Sequence, residues 1–421
     1  MSPSDRRLAW AWFAVASVAL VVVILLTTPW DWLPGGSLAP IDRTGGLPPE
    51  DLERIDSYRD QIVPVGLAST AVSLIVALAL GLTQWGSRLV RRLPGSRWWP
   101  LHVLVAVAAL LGIGQIVTLP LAIRSQSVRR EFGLATNDWP AWALDQLTSW
   151  AVSVVFAAVP LVVVVAMART WRRWWLPASL TAGALVFVGS FGYPLVVEPL
   201  FNNFEEMPDT PLRSSLIQLA EDDGIDVDDV LIADASRRTS SLNAYVSGYG
   251  ATKRIVVYDT LLREATPDEV RLVVAHELGH AKNDDVLHGT LVGALGAVAG
   301  VTLLALLVTS RRLAGRAGYP EGPPRDASSV AAILALVACG TFLVSPVQNL
   351  ISRAIEARAD VHSLDLTRDP ETFEATQRRL ATTNLSDPWP PRPLYVWFSS
   401  HPTLAQRVAI AQGWAERESA D

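Results

Sequence analysis

Thr266-Pro267-Asp268-Glu269-Val270-Arg271-Leu272-Val273-Val274-Ala275-His276-Glu277-Leu278-Gly279-His280 carries an H-E-x-x-H pattern a few residues ahead of a long apolar run. Its first residues read as a capping box, with Thr266 as N-cap, Pro267 at the first helical position and Glu269 reaching back to the cap. Val270, Leu272, Val273 and Val274 supply the apolar body of the helix. Residues four apart on a helix share a face and stand about one turn from each other. His276 and His280 can therefore offer two corners of a tetrahedral zinc site. Glu277 points beside them, where a carboxylate can take the proton of a zinc-activated water. The same pattern also arises by chance, with both histidines as ordinary helix residues. Only six histidines occur in this chain (His102, His276, His280, His288, His362 and His401), and two of them flank a glutamate here. The expectation is one Zn2+ per chain.

Two histidines leave the third ligand open. A third histidine in the longer form of the motif would stand at position 286, behind a glycine at 283. Val286 and Asn283 occupy those positions, so that class is excluded. What remains is a carboxylate from a later helix. Ser352-Arg353-Ala354-Ile355-Glu356-Ala357-Arg358-Ala359-Asp360 puts Glu356 and Asp360 four apart on one face. Glu356 can ligate while Asp360 accepts the free N–H of a ligating imidazole. The competing reading is a solvated i,i+4 charge face with Arg353 and Arg358 as partners. Spacing alone leaves both open.

The surrounding chain belongs in a bilayer. Over 421 residues it is 50% apolar, with a mean hydropathy of +0.28, too apolar for an ordinary soluble protein. Seven runs, roughly 9–28, 61–84, 99–123, 150–168, 176–198, 287–308 and 328–349, are long enough to cross a hydrocarbon core of ~30 Å. Tryptophans gather at their ends, among them Trp10, Trp30, Trp85, Trp98, Trp99, Trp150, Trp174 and Trp175, in the manner of an interfacial belt. The first run follows Arg6-Arg7 without a small-x-small cleavage site and reads as a retained anchor. The chain divides into 1–198 with five spans, a soluble segment 199–286, two more spans in 287–349, and a C-terminal segment 350–421. The single Cys339 lies within the seventh span and says nothing about redox compartment. A net charge of −6 points to neither nucleic acid nor a basic partner.

Arginine sets an orientation. Arg6 and Arg7, then Arg88, Arg91, Arg92 and Arg97, then Arg169, Arg172 and Arg173, then Arg311, Arg312, Arg316 and Arg325 all fall on one side of a seven-span chain. The positive-inside rule puts that side, and the N-terminus, in the cytoplasm. The expected setting is the cell membrane, with 199–286 and the segment after 350 on the opposite side.

Within 199–286, Pro211–Asp222 is helix-like, a short strand lies near Val230–Ala233, and Leu242–Ser247 and Lys253–Tyr258 alternate as strands. Gly248-Tyr249-Gly250 joins the last two. A hairpin here either covers the core or offers an edge to which an extended peptide can pair. His102, His288 and His362 are expected to be structural.

Several segments together resemble the M48 metallopeptidases, and within them the seven-span CAAX prenyl protease group. They are Pro199-Leu200-Phe201-Asn202, Asn243-Ala244-Tyr245, Lys253 to Leu262, His276 to His280, Ser352-Arg353 with Glu356 and Ala359-Asp360, and Ser400-His401-Pro402-Thr403-Leu404 with Arg407. Ala357-Arg358 departs from the pattern, since many relatives carry an aromatic after the ligand glutamate. The resemblance implies a mostly α, polytopic membrane protein whose seven helices enclose a chamber, with a soluble α+β portion of the gluzincin type. It implies Glu356 as third zinc ligand, Glu277 as general base, Asp360 behind a ligating imidazole and His401 as a catalytic aid. An ion pair to Glu356 or Asp360 is the other role open to Arg407. Asn243, Ala244, Tyr245 and Arg407 would then handle a peptide or protein substrate, lipidated or membrane-embedded. Two rival readings are an HtpX-like quality-control protease and a transporter or receptor with a structural zinc site. The intact Glu277, and the lack of a nearby fourth histidine or cysteine, speak against the latter.

Overall fold

The computed structural model describes residues 1–32, 38–248 and 253–419. The expected joint at Tyr249 and Gly250 lies outside the described residues. The N-terminal part is a series of long helices: α1 (Pro3–Thr27), α2 (Pro49–Leu82), the short α3 (Gln84–Arg92), α4 (Trp99–Glu131), α5 (Trp139–Thr170) and α6 (Trp175–Val196). Then come β1 (Phe204–Glu206), α7 (Pro211–Asp222), β2 (Asp229–Ala233), β3 (Ala244–Ser247), β4 (Arg254–Tyr258), α8 (Asp259–Glu264) and α9 (Pro267–Lys282). The rest is helical: α10 (Asp285–Val308), α11 (Arg311–Ala317), α12 (Val330–Thr367), α13 (Pro370–Asn384), α14 (Arg392–Phe398) and α15 (Leu404–Glu418). Among the described residues, seven helices are long and apolar enough to cross a membrane, and each overlaps one of the expected apolar runs.

The helices outrun the hydropathy. α2 begins at Pro49, well before its apolar run, and α12 continues to Thr367. Hydropathy marks only the part of a helix that lipid covers, whereas backbone hydrogen bonding carries the helix on through polar sequence. With 38 residues, α12 is about 57 Å long, nearly twice a hydrocarbon core of ~30 Å. Its C-terminal third therefore stands clear of the apolar layer. Pro64, Pro120, Pro160, Pro194 and Pro346 sit inside spans without ending them, as neighbouring helices allow in membranes.

Neighbouring spans pack in a circuit: α2 on α4, α4 on α5, α5 on α6, α6 on α10, α10 on α12, and α12 back on α2. α1 lies along α10 and reaches α6, where Trp12 Nε1 donates to Ser179 Oγ at 3.2 Å. One core fills the arginine-rich end of this bundle and contains Val90, Val103, Val165, Trp174, Trp175, Tyr319 and Val330. There Ser87 donates to the Ala317 carbonyl, Arg169 to the Arg325 carbonyl, and Arg172 and Arg173 pair with buried Asp5. These contacts gather the N-terminus and the three arginine-bearing loops on one face.

The H-E-x-x-H motif is at the other end. A four-stranded sheet has the order β1-β2-β4-β3, with β2 and β4 parallel and the outer pairs antiparallel. β1 was not anticipated; it is three residues of Phe-Glu-Glu that pair with Leu231, Ile232 and Ala233, too short and acidic to signal a strand alone. β3 is an outer strand of the sheet. α9 packs on the sheet through Val270, Val273, Val274 and Leu278, against Val230, Ile255 and Val257. Its other side meets α12, α13 and α15 through Leu272, Ala357, Val361, Leu364, Phe373, Ile410 and Trp414. The N-terminal turns of α2 join this assembly, since Ile55 packs with Leu134, Ala381, Leu404 and Val408. The motif helix is thus wedged between sheet and helices, which fixes its face toward α12.

Candidate metal centre and active site

α9 starts as its sequence predicts. Thr266 accepts from Glu269 N while the Glu269 carboxylate accepts from Thr266 N at 2.7 Å, with Pro267 in the first turn. Glu269 is buried and also accepts from Arg379 of α13 at 2.7 Å. Burial works to raise its carboxyl, but Arg379 and the cap amide prevail and hold it below the ordinary value of 4.5. α9 ends at Lys282, where Asp284 takes a left-handed φ of 51° before α10 begins at Asp285. A non-glycine residue in that region costs about 1 kcal/mol, so the break is held by its surroundings.

His276, His280 and Glu356 converge. His276 Nε2 lies 3.2 Å from His280 Nε2 and 3.3 Å from Glu356 Oε2, and His280 Nε2 lies 3.7 Å from Glu356 Oε1. A tetrahedral ion with ligand bonds near 2.0–2.1 Å needs donors about 3.3 Å apart. Both rings turn Nδ1 away from this point, His276 toward Asp360 at 2.9 Å and His280 toward Asp285 at 3.0 Å. With the proton on Nδ1, each ring aims an Nε2 lone pair inward, as a metal requires. Glu356 Oε2 is buried and, among the described residues, meets no donor in hydrogen-bonding geometry, only the His276 and His401 imidazoles at 3.3 and 3.2 Å, a costly state that a cation would relieve. The residues therefore fit a divalent metal of the zinc type. Burial alone would lower His276, but its bonds to Asp360 and Glu356 prevail and raise it to about 10, so proton and metal compete for this ring.

Glu277 stands beside the three donors. Burial raises its carboxyl above the ordinary range, with His276 and His280 pulling the other way. It lies between two hollows. The larger, about 520 Å³, is lined by Asn243, Leu272, His276, Gln377, Asn384, Tyr395, His401 and Arg407, among others. The smaller is lined by Val246, Gly248, His280 and Asp285. Residues at both ends of β3 thus border the space around Glu277.

The other named residues fall as follows. Asp360 is fully buried and accepts from Arg407 Nε at 2.9 Å and from Arg407 Nη2, so Arg407 forms an ion pair with Asp360. His401 faces the cavity, its Nε2 3.2 Å from Glu356 Oε2 and its Nδ1 2.9 Å from Ser400 Oγ. Asn243 caps β3, its backbone carbonyl accepting from Tyr258 N at 3.0 Å. Ala244 is buried against the α9 core, while Tyr245 stacks edge-on with Tyr258 and donates to Glu198 at 3.3 Å. His102 binds the Val90 carbonyl at 2.9 Å, and His362 pairs with Asp223 at 3.0 Å, both outside the cluster. Sequence reasoning missed Asp285, the carboxylate behind His280. Arg358, which the competing reading placed on a solvated face, has a half-buried guanidinium that pairs with Asp285.

Comparison with known proteins finds similarity along most of the chain. The model of peptidase family M48 matches residues 208–415, and that of the CAAX prenyl protease N-terminal region with five membrane helices matches 39–203. A Bacillus subtilis protein named as the uncharacterized metalloprotease YhfN is 29% identical over 413 residues, covering 95% of this chain and 96% of its own. The CAAX prenyl protease 1 of Saccharomyces cerevisiae is 25% identical over 332 residues, 73% of this chain and 72% of its own. The crystal structure of Ste24p from S. mikatae superposes with a TM-score of 0.78 at 20% identity, covering 96% of this chain and 98% of that one. With both halves matched in order and the fold shared from end to end, the chain belongs to peptidase family M48, as a multi-pass membrane metallopeptidase of the CAAX prenyl protease type.

Proposed function

We propose that the chain is a zinc endopeptidase that binds one Zn2+ through His276, His280 and Glu356 and cuts peptide or protein substrates, lipidated or membrane-embedded. The observation that carries this reading is the convergence of three donor atoms with Glu277 next to them. When bound, the metal supplies a Lewis acid for the scissile carbonyl and makes a water acidic enough to lose its proton near neutral pH. Glu277 takes that proton as the water attacks and then hands it to the leaving amine. A raised carboxyl pKa suits both directions of that transfer. Asp360 holds the His276 ring, and Arg407 holds Asp360 in turn. His401 faces the cavity and donates to the oxygen on which negative charge develops. Substrate lies extended along β3, as an added strand, with Asn243, Ala244 and Tyr245 forming the rail.

We read the chain as four stretches, 1–198, 199–286, 287–349 and 350–421, with the metal held between the second and the last. The circuit of spans would surround a chamber beneath the site, reached from the bilayer of the cell membrane. The test is to incubate purified protein with a farnesylated C-terminal CAAX peptide and with its unprenylated twin, with Glu277→Gln as control, and to read products by mass spectrometry. Cleavage of the lipidated peptide after its cysteine, absent in the control, is the expected result. Cleavage of both peptides alike would remove the lipid requirement and favour a general membrane-protein substrate. Cleavage by the Glu277→Gln protein would refute the general base.

A further inference from the structure

Each imidazole of the candidate metal centre is backed by an aspartate, and each aspartate by an arginine. His276 meets Asp360, which Arg407 of α15 holds. His280 Nδ1 donates to Asp285 Oδ2 at 3.0 Å, and Arg358 Nη2 donates to Asp285 Oδ1. The second set has no counterpart in the spacing of the motif. On an unbroken helix, Asp285 would stand five residues past His280, about 140° around the axis and out of reach of its ring. The left-handed turn at Asp284 starts a new helix and brings the Asp285 carboxylate back against Nδ1. Its side chain is only 10% exposed. Arg358 Nε is buried without a hydrogen-bond partner among the described residues, and the half-buried guanidinium has Asp285 as its ion-pair partner.

We propose that Asp285 is a positioning residue for His280, and that the Asp285–Arg358 pair ties the second ligating imidazole to the last two membrane spans. Asp285 opens α10, and Arg358 lies on α12 two residues past Glu356. Two of the three donors then depend on how these spans sit against each other: Glu356 directly, and His280 through the ion pair. The charge of Arg358 holds the Asp285 carboxylate in place as an acceptor, which fixes the ring tautomer with Nε2 turned inward. This inference rests on the reading of His276, His280 and Glu356 as metal ligands.

The test uses full-length protein in detergent, loaded with zinc and then mixed with a chromogenic chelator. Asp285→Ala is expected to weaken zinc affinity about 10–100-fold, the usual cost of removing such a partner, and to release zinc to the chelator faster than the wild type. Asp285→Asn, which keeps an acceptor for Nδ1–H, should restore part of the loss. Arg358→Ala should shift release in the same direction by less, with Arg358→Lys closer to wild type. In cobalt-loaded protein, the visible bands of Asp285→Asn should move while circular dichroism stays unchanged, which a purely structural role would not produce. Should Asp285→Ala fail to fold, Asp285→Asn and Arg358→Ala carry the decision. Wild-type release rates and unshifted bands in both would overturn the inference. A wild-type protein that retains no zinc would overturn the metal reading itself, and the two failures are told apart by the wild-type metal content alone.

Discussion

Glu277 and Glu356 are separated in role by what surrounds them. Burial near two imidazoles leaves Glu277 beside the donor atoms and open to the cavity, whereas Glu356 points an otherwise unpartnered oxygen at the histidines. Glu277→Gln should therefore keep the metal and lose about 10²–10⁴-fold in turnover, the range for removing a general base. Metal analysis beside a peptidase assay checks both halves, and loss of metal would move Glu277 from proton transfer to ligation. Glu356→Ala should instead empty the site, and added zinc should not restore activity at concentrations that saturate the wild type. The His276 and His280 pair is legible in the sequence, because a four-residue spacing on a helix is a geometric statement. The spacing of Glu356 and Asp360 fits a solvated charge face as well, and the family resemblance supplies the ligand reading. Asp285 is not legible in that way. Its place depends on one left-handed residue, Asp284, whose backbone no residue pattern announces. Arg358 is hidden for a related reason, since its partner lies 73 positions earlier.

At the scale of elements, α9 is the part most fully written in local sequence. Cap, proline and apolar stripe all agree, and the helix starts at Pro267. Thr266→Ala removes one side of the capping box and should lower stability by about 1 kcal/mol. Glu269→Gln weakens the cap and the contact with Arg379 together, with a loss on the order of 1–2 kcal/mol, since Arg379 is 43% exposed and solvent screens part of the pair. The Glu269 carboxyl is held below its unfolded value, so the folded state binds fewer protons there than the unfolded chain does. Its contribution is fully present above the ordinary 4.5 and fades as pH falls through the lower folded value. Melting temperatures of wild type and Glu269→Gln should therefore differ at pH 7 and approach each other as pH falls below about 4. A constant difference down to that range would place the stabilisation elsewhere. β1 shows the opposite limit, because three residues with two glutamates form a strand only where β2 offers its edge. Tertiary pairing, which no local window contains, decides that element.

Across the whole molecule the spans were legible because each needs an apolar run about as long as the bilayer is thick, while the polar ends of α2 and α12 were not, since hydropathy is silent where a helix leaves lipid. Those ends matter most, for they carry Ile55 into the assembly around the motif helix and Glu356 to that helix itself. The packing also bears on orientation. Asp5 with Arg172 and Arg173, Ser87 with Ala317, and Arg169 with Arg325 bind the N-terminus and three loops into one arginine-rich face. The ends of α6 and α12 that lead into the sheet and the C-terminal helices lie across the spans from it. If positive charge is retained in the cytoplasm, the candidate metal centre faces the other side. Alkaline phosphatase fused after α15 should then be active in a bacterial host, because it matures only outside the cytoplasm, and the same enzyme inserted between α3 and α4 should be inactive. A fluorescent protein, which matures in the cytoplasm, should report the reverse at both points. Fluorescence after α15 with inactive phosphatase there would turn the molecule over. The arginine face would then lie outside, against the charge rule, and substrates would have to be drawn from the cytosolic side.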